Sequence, residues 1–152
     1  MEKLINQKKS GQSLVEMVVA VSISALIIVA LLIGAVIGTR NVQFSRNQSR
    51  AMELNRELSE WLRAEKKSGW SRLWSYGSGG EGITYCFSDL SFGQASSCSA
   101  LDLEGIKIDG KFFREGVLKQ EGVDKLKITI TTSWQDPMGE HNETITTYLT
   151  KY

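Results

Sequence analysis

A single apolar run constrains this chain more than any other feature. From Leu14 to Gly38 (LVEMVVAVSISALIIVALLIGAVIG) one ionisable residue occurs, Glu16, and it lies at the start of the run. As a helix the stretch is roughly 37 Å long, enough to span a bilayer with some tilt. Ser22 and Ser24 can return their hydroxyls to helix carbonyls. A carboxylate at the edge of such a segment is costly without a partner, so Glu16 asks for a functional explanation. Lys3, Lys8 and Lys9 precede the run, while Arg40 and Arg46 follow it. The compact basic cluster is expected to stay cytoplasmic and the rest of the chain to be exported. A secretory signal has a shorter apolar core and a cleavage site at its far end. Here the distinctive polar residue sits at the cytoplasmic end instead.

With a leader and a membrane-length helix set aside, about 100 residues remain, one small domain. A net charge of +1 with interspersed acids and bases gives no global reason to expect nucleic acid as a partner. Cys86 and Cys98 fall in the part expected to be exported, where thiols pair readily. A disulfide closing that short loop is the expectation, two unpaired thiols the alternative.

Lys8-Lys9-Ser10-Gly11, then Gln12-Ser13-Leu14-Val15-Glu16, then an unbroken apolar helix, resembles the class III leader of type IV pilins and pseudopilins. The resemblance implies cleavage by a prepilin peptidase after Gly11, N-methylation of the new terminus at Gln12, and an assembly role for Glu16, the family's near-invariant fifth mature residue. The first mature position is most often Phe in that family and is Gln12 here, which suits a minor subunit. Cleavage would create a positive amine at Gln12. When a second subunit docks, its amine can meet Glu16 and pair both charges where the dielectric is low. A glutamate snorkelling to the headgroups is the simpler alternative. Gly34 and Gly38 form a weak small-xxx-small pattern that permits close helix approach.

Beyond the run, 40–68 is expected to continue the helix with a new solvent. Ala51, Leu54, Leu58, Trp61 and Leu62 recur at threes and fours, with Arg50, Glu53, Arg56, Glu57, Glu60 and Arg63 mostly on the other face. Lys66 and Lys67 suit the C-terminal end, and Ser68-Gly69 the stop. The stripe needs a cover, and residues 69–152 are expected to supply it as a small antiparallel sheet. Leader 1–11, membrane and assembly helix 12–39, amphipathic helix 40–68 and sheet 69–152 make an α+β chain, the pilin-like fold that the resemblance implies.

Trp70–Gly82 reads as a loop whose aromatics tuck into a small core, with an exposed sticky patch as the alternative. Ile83–Phe87 reads as a strand and Ser88–Ser99 as a loop. Asp109-Gly110 between Gly105–Ile108 and Lys111–Arg114 is the signal of a type I′ hairpin, its second arm continuing toward Leu118. After a break at Lys119–Gly122, Lys125–Trp134 alternates Leu126, Ile128, Ile130, Thr132 and Trp134 against polar residues. Glu143–Tyr152 answers with Ile145, Thr147 and Leu149, after a turn region at Gln135–Asn142.

No catalytic set is visible, so an enzyme is not expected. His141 is placed in a turn, with a metal site on His141, Asp136 and Glu140 less favoured than plain solvation. Asp89, Asp102, Glu104 and Asp109 lack the spacing of a contiguous calcium loop. No metal and no cofactor are expected. The expected function is a minor pilin or pseudopilin of a type IV pilus or type II secretion filament. Its expected partners are other pilin-like subunits, the prepilin peptidase, the inner-membrane platform and the membrane itself. An adhesive or DNA-binding tip subunit is the alternative.

Overall fold

The structure, a computed structural model, describes residues 12–100 and 105–151. Gly11 and the rest of the leader, with Asp102 and Glu104, lie outside the described residues. The elements are helix α1 (Gln12–Ser68), helix α2 (Trp70–Ser75), strand β1 (Ile83–Cys86), a 3-10 turn (Cys98–Ala100), and strands β2 (Phe113–Glu121), β3 (Lys125–Asp136) and β4 (Gly139–Thr150). The chain divides into two units, Met1–Phe44 and Ser45–Tyr152.

In the first unit, the apolar side chains of α1 are exposed around its circumference. It is long and apolar enough to cross a membrane, with a mean hydropathy of 2.9 in its most apolar stretch. A helix apolar on all sides needs an apolar surround. Two of its hydroxyls are satisfied within the helix, Ser22 Oγ donating to the Val18 carbonyl at 2.7 Å and Ser24 Oγ to that of Ala20 at 2.8 Å.

The second unit is α+β. The part of α1 from Ser45 onward buries Ala51, Leu54, Leu58 and Leu62 against a four-stranded antiparallel meander ordered β1-β2-β3-β4. The period-2 alternation of β3 holds: Leu126, Ile128, Ile130, Thr132 and Trp134 are all buried. Ile145, Thr147 and Leu149 of β4 lie on the same inner face, while Thr144, Thr146 and Tyr148 are exposed. Lys66 and Lys67 occupy the last turn of α1, where cations favour the negative helix end.

Four sequence expectations change. Trp70–Ser75 is helical rather than loop, because residues 70, 73 and 74 share a helix face. Leu73 is buried, and the Trp70 and Trp74 rings lie 5.5 Å apart. Gly69, at φ 177, passes the chain on as one extended residue. It ends α1 without a left-handed cap.

The Asp109-Gly110 turn has both residues at positive φ, 52° and 65°, as a type I′ turn requires. Its arms, however, make one bridge, Ile108 to Phe112. The strand that follows is already paired on both edges, by β3 and by β1, and the Phe87 N–H takes the Arg114 carbonyl at 2.8 Å. The first arm has nothing further to pair with.

β2 runs on through Glu121, so the break narrows to 122–124. The polar residues there find partners. Gln120 Nε2 donates to the Trp74 and Gly77 carbonyls at 2.9 and 3.0 Å, and Glu121 pairs with Lys125 at 3.3 Å.

The β3–β4 connection shrinks to Pro137-Met138, which places His141 in β4 opposite Trp134 rather than in a turn. The two rings stack at 5.4 Å. His141 Nε2 lies 2.9 Å from Asp136 Oδ1, carrying the ladder down to Asp136 and Gly139.

Candidate functional site

The residues singled out by sequence fall into separate places. Gln12 opens α1, and Glu16 follows four residues later in the same helix. Glu16 is exposed and makes no ion pair with another described residue.

Cys86 and Cys98 are joined in a disulfide spanning 12 positions. The bond closes a loop that carries Phe92 onto the aromatic core. Phe92 stacks on Tyr76 at 3.8 Å and meets Trp61, Tyr85 and Phe87 at 5.2, 5.3 and 5.5 Å. Trp70, Trp74 and Tyr76 are likewise packed against the core as partly buried residues. The tucked arrangement is thus the one observed.

Two buried polar residues unforeseen in the sequence, Asn55 and Arg114, fix α1 to the sheet. Asn55 and Thr132 are each 0% exposed. Thr132 Oγ1 donates to Asn55 Oδ1 at 2.7 Å, and Asn55 Nδ2 donates to the Glu143 carbonyl at 2.9 Å. Arg114, also buried, donates through Nη1 to the Leu54 carbonyl at 3.1 Å and to Glu57 Oε2 at 2.9 Å, and through Nε to the Phe87 carbonyl at 3.4 Å. Burying a guanidinium is costly unless paired. Here its partner Glu57 is half-exposed, so the pair leads outward to water. Both residues stood at readable positions. Asn55 is four residues beyond Ala51 on the apolar stripe, and Arg114 shares the inward parity of Phe112 and Leu118.

Around His141, the Asp136 carboxylate also accepts the Met138 N–H at 2.8 Å. Its partial burial acts to raise its pKa. The His141 hydrogen bond, the Met138 N–H and the charges of His141 and Lys111 outweigh that, holding the group below its ordinary value. Asp109 pairs with Arg50 at 2.9 Å, and Asp89 accepts from Ser91 at 2.7 Å. No group of three or more His, Cys, Asp or Glu side chains converges among the described residues.

Comparison with protein-family models, characterised proteins and solved structures gives no match to this chain.

Proposed function

We propose that the chain is a structural minor subunit, a pilin or pseudopilin, of a type IV pilus or type II secretion-like filament. The observation that carries this reading is the register at the N-terminus. A basic leader ends at Gly11, Glu16 follows at the fifth position beyond it, and an apolar helix exposed on every side follows that. The α+β unit, with an amphipathic helix laid on an antiparallel meander, supports the same reading.

In this proposal the precursor sits once in the cytoplasmic membrane with its C-terminal unit outside. Prepilin peptidase cuts between Gly11 and Gln12 and methylates Gln12. The inner-membrane platform then delivers the subunit into the filament. Glu16 pairs with the N-terminal amine of a neighbouring subunit, a bond made strong by low dielectric and made necessary by the cost of leaving either charge alone there. The chain carries out no catalysis of its own, and nucleic acid is not among its partners.

Expression with and without prepilin peptidase tests the cleavage. Wild-type chain loses the mass of residues 1–11 only when the peptidase is present, and Gly11→Ala stays full length. Identical masses in all cases would refute the reading. Glu16→Ala is expected to be processed yet excluded from sheared filaments; normal incorporation would remove the ion-pair argument.

A further inference from the structure

We propose that Asn142 is an acceptor for N-linked glycosylation. The sequence holds two Asn-x-Ser/Thr triplets, Asn47-Gln48-Ser49 and Asn142-Glu143-Thr144, the pattern that marks such acceptors. The structure separates them. Asn47 lies in α1 with its amide nitrogen, the atom that would react, buried. Asn142 lies in β4, exposed, just past the Pro137-Met138 turn.

Strand periodicity does the rest. Alternate side chains of a strand share a face, so Glu140, Asn142 and Thr144 line the outer face together, and all three are exposed. They stand opposite Gln135, Ser133 and Thr131. The intervening Glu143 is turned the other way. Its carboxylate accepts from Gln48 at 2.6 Å and its carbonyl from Asn55. The acceptor amide, the hydroxyl two residues after it and a carboxylate two residues before it are therefore presented on one surface. Glu140 makes no ion pair with another described residue, so its exposed carboxylate shares this strip with the acceptor amide. Thr144 Oγ1 lies 3.0 Å from Thr131 Oγ1, a single hydroxyl contact at the surface. β4 is the terminal strand of the sheet, so an enzyme lifting this segment breaks one ladder, not two.

The reaction balances with a saccharide carried on a lipid pyrophosphate. Asn142 Nδ2 attacks the anomeric carbon and forms the C–N bond. The bond from that carbon to the pyrophosphate oxygen breaks, the lipid pyrophosphate leaves, and the Nδ2 proton passes to a base of the oligosaccharyltransferase. The glycan would project from the face of the sheet opposite α1, leaving the helix surface clear for subunit packing.

The inference rests on the exported orientation proposed above, and two arms keep the questions apart. The full-length chain is co-expressed with an oligosaccharyltransferase and its lipid-pyrophosphate oligosaccharide. Separately, the detergent-solubilised full-length chain is incubated with the purified transferase and donor. Intact mass and peptide mapping are expected to show one added glycan on Asn142 in both arms. It is lost in Asn142→Gln and Thr144→Ala, retained in Thr144→Ser, and unaffected in Asn47→Gln. Modification in the purified arm alone upholds the acceptor and overturns the exported orientation. A glycan on Asn47, or none in either arm, overturns the proposal.

Discussion

The contact between Asn55 and Thr132 gives the sharpest test of how this unit is held together. Both side chains are fully buried, and the hydroxyl-to-amide bond is 2.7 Å long. Thr132→Val keeps the shape and removes the donor. Asn55 Oδ1 is then left in a dry place without a partner, which costs about 1–3 kcal/mol. Asn55→Ala strands the Thr132 hydroxyl and the Glu143 carbonyl together and opens a void, for roughly 2–4 kcal/mol. The double variant removes donor and acceptor of the same bond. It should therefore be less destabilised than the sum of the singles, by about 1–2 kcal/mol. Guanidinium denaturation followed by tryptophan fluorescence reads this directly, since Trp61, Trp70, Trp74 and Trp134 all lie in the Ser45–Tyr152 unit. Strict additivity, or a Thr132→Val cost below about 0.5 kcal/mol, would refute the claim that this contact pins the helix.

Replacing Cys86 and Cys98 together by Ser removes a cross-link spanning 12 positions and should cost about 3 kcal/mol by freeing the unfolded chain; denaturation midpoints of the oxidised chain and the double variant check it. Gly116→Ala would set a Cβ 2.8 Å from Phe87 Cε2, against a ring already enclosed by Trp61, Tyr85 and Phe92. A loss of about 1–3 kcal/mol is expected, whereas Gly79→Ala, with nothing within 4 Å, should stay within about 0.5 kcal/mol. Asp136 titrates below its ordinary value, so its contribution to stability is present above about pH 4 and is lost as pH falls through the lower folded value. A carboxyl-carbon NMR titration checks this, and a midpoint at or above the ordinary aspartate value would contradict it.

The parts of the fold that burial repeats along the chain were legible. β3 declares its two faces by strict alternation, and the stripe Ala51, Leu54, Leu58, Leu62 declares the inward side of α1 at helical spacing. Element ends are harder, because a polar residue at a strand end has the same signature as a break. Gln120, Glu121 and His141 extend their strands only because Trp74, Gly77, Lys125, Trp134 and Asp136 stand ready to receive them. Those partners are distant in sequence or hidden in a hairpin register. Arg114 illustrates the same limit more strongly. Strand parity puts Arg114 on the inward face, but the groups that make its burial tolerable, Leu54, Glu57 and Phe87, converge on it from distant parts of the chain.

That convergence bears on why a largely apolar contact carries polar residues at all. Leu54, Leu58 and Leu62 repeat at intervals of four, so sliding α1 along the sheet by about one turn, roughly 5.4 Å, would drop each leucine near the site vacated by the next. Dispersion and apolar burial distinguish such registers poorly, because they are non-directional. The polar contacts discriminate between them. A one-turn slip takes Asn55 from Thr132 and from the Glu143 carbonyl, and takes Glu57 from Arg114, leaving a buried charge and orphaned hydrogen-bonding groups that cost several kcal/mol together. The leucines hold the helix to the sheet, and Asn55 and Arg114 decide where along the sheet it is held.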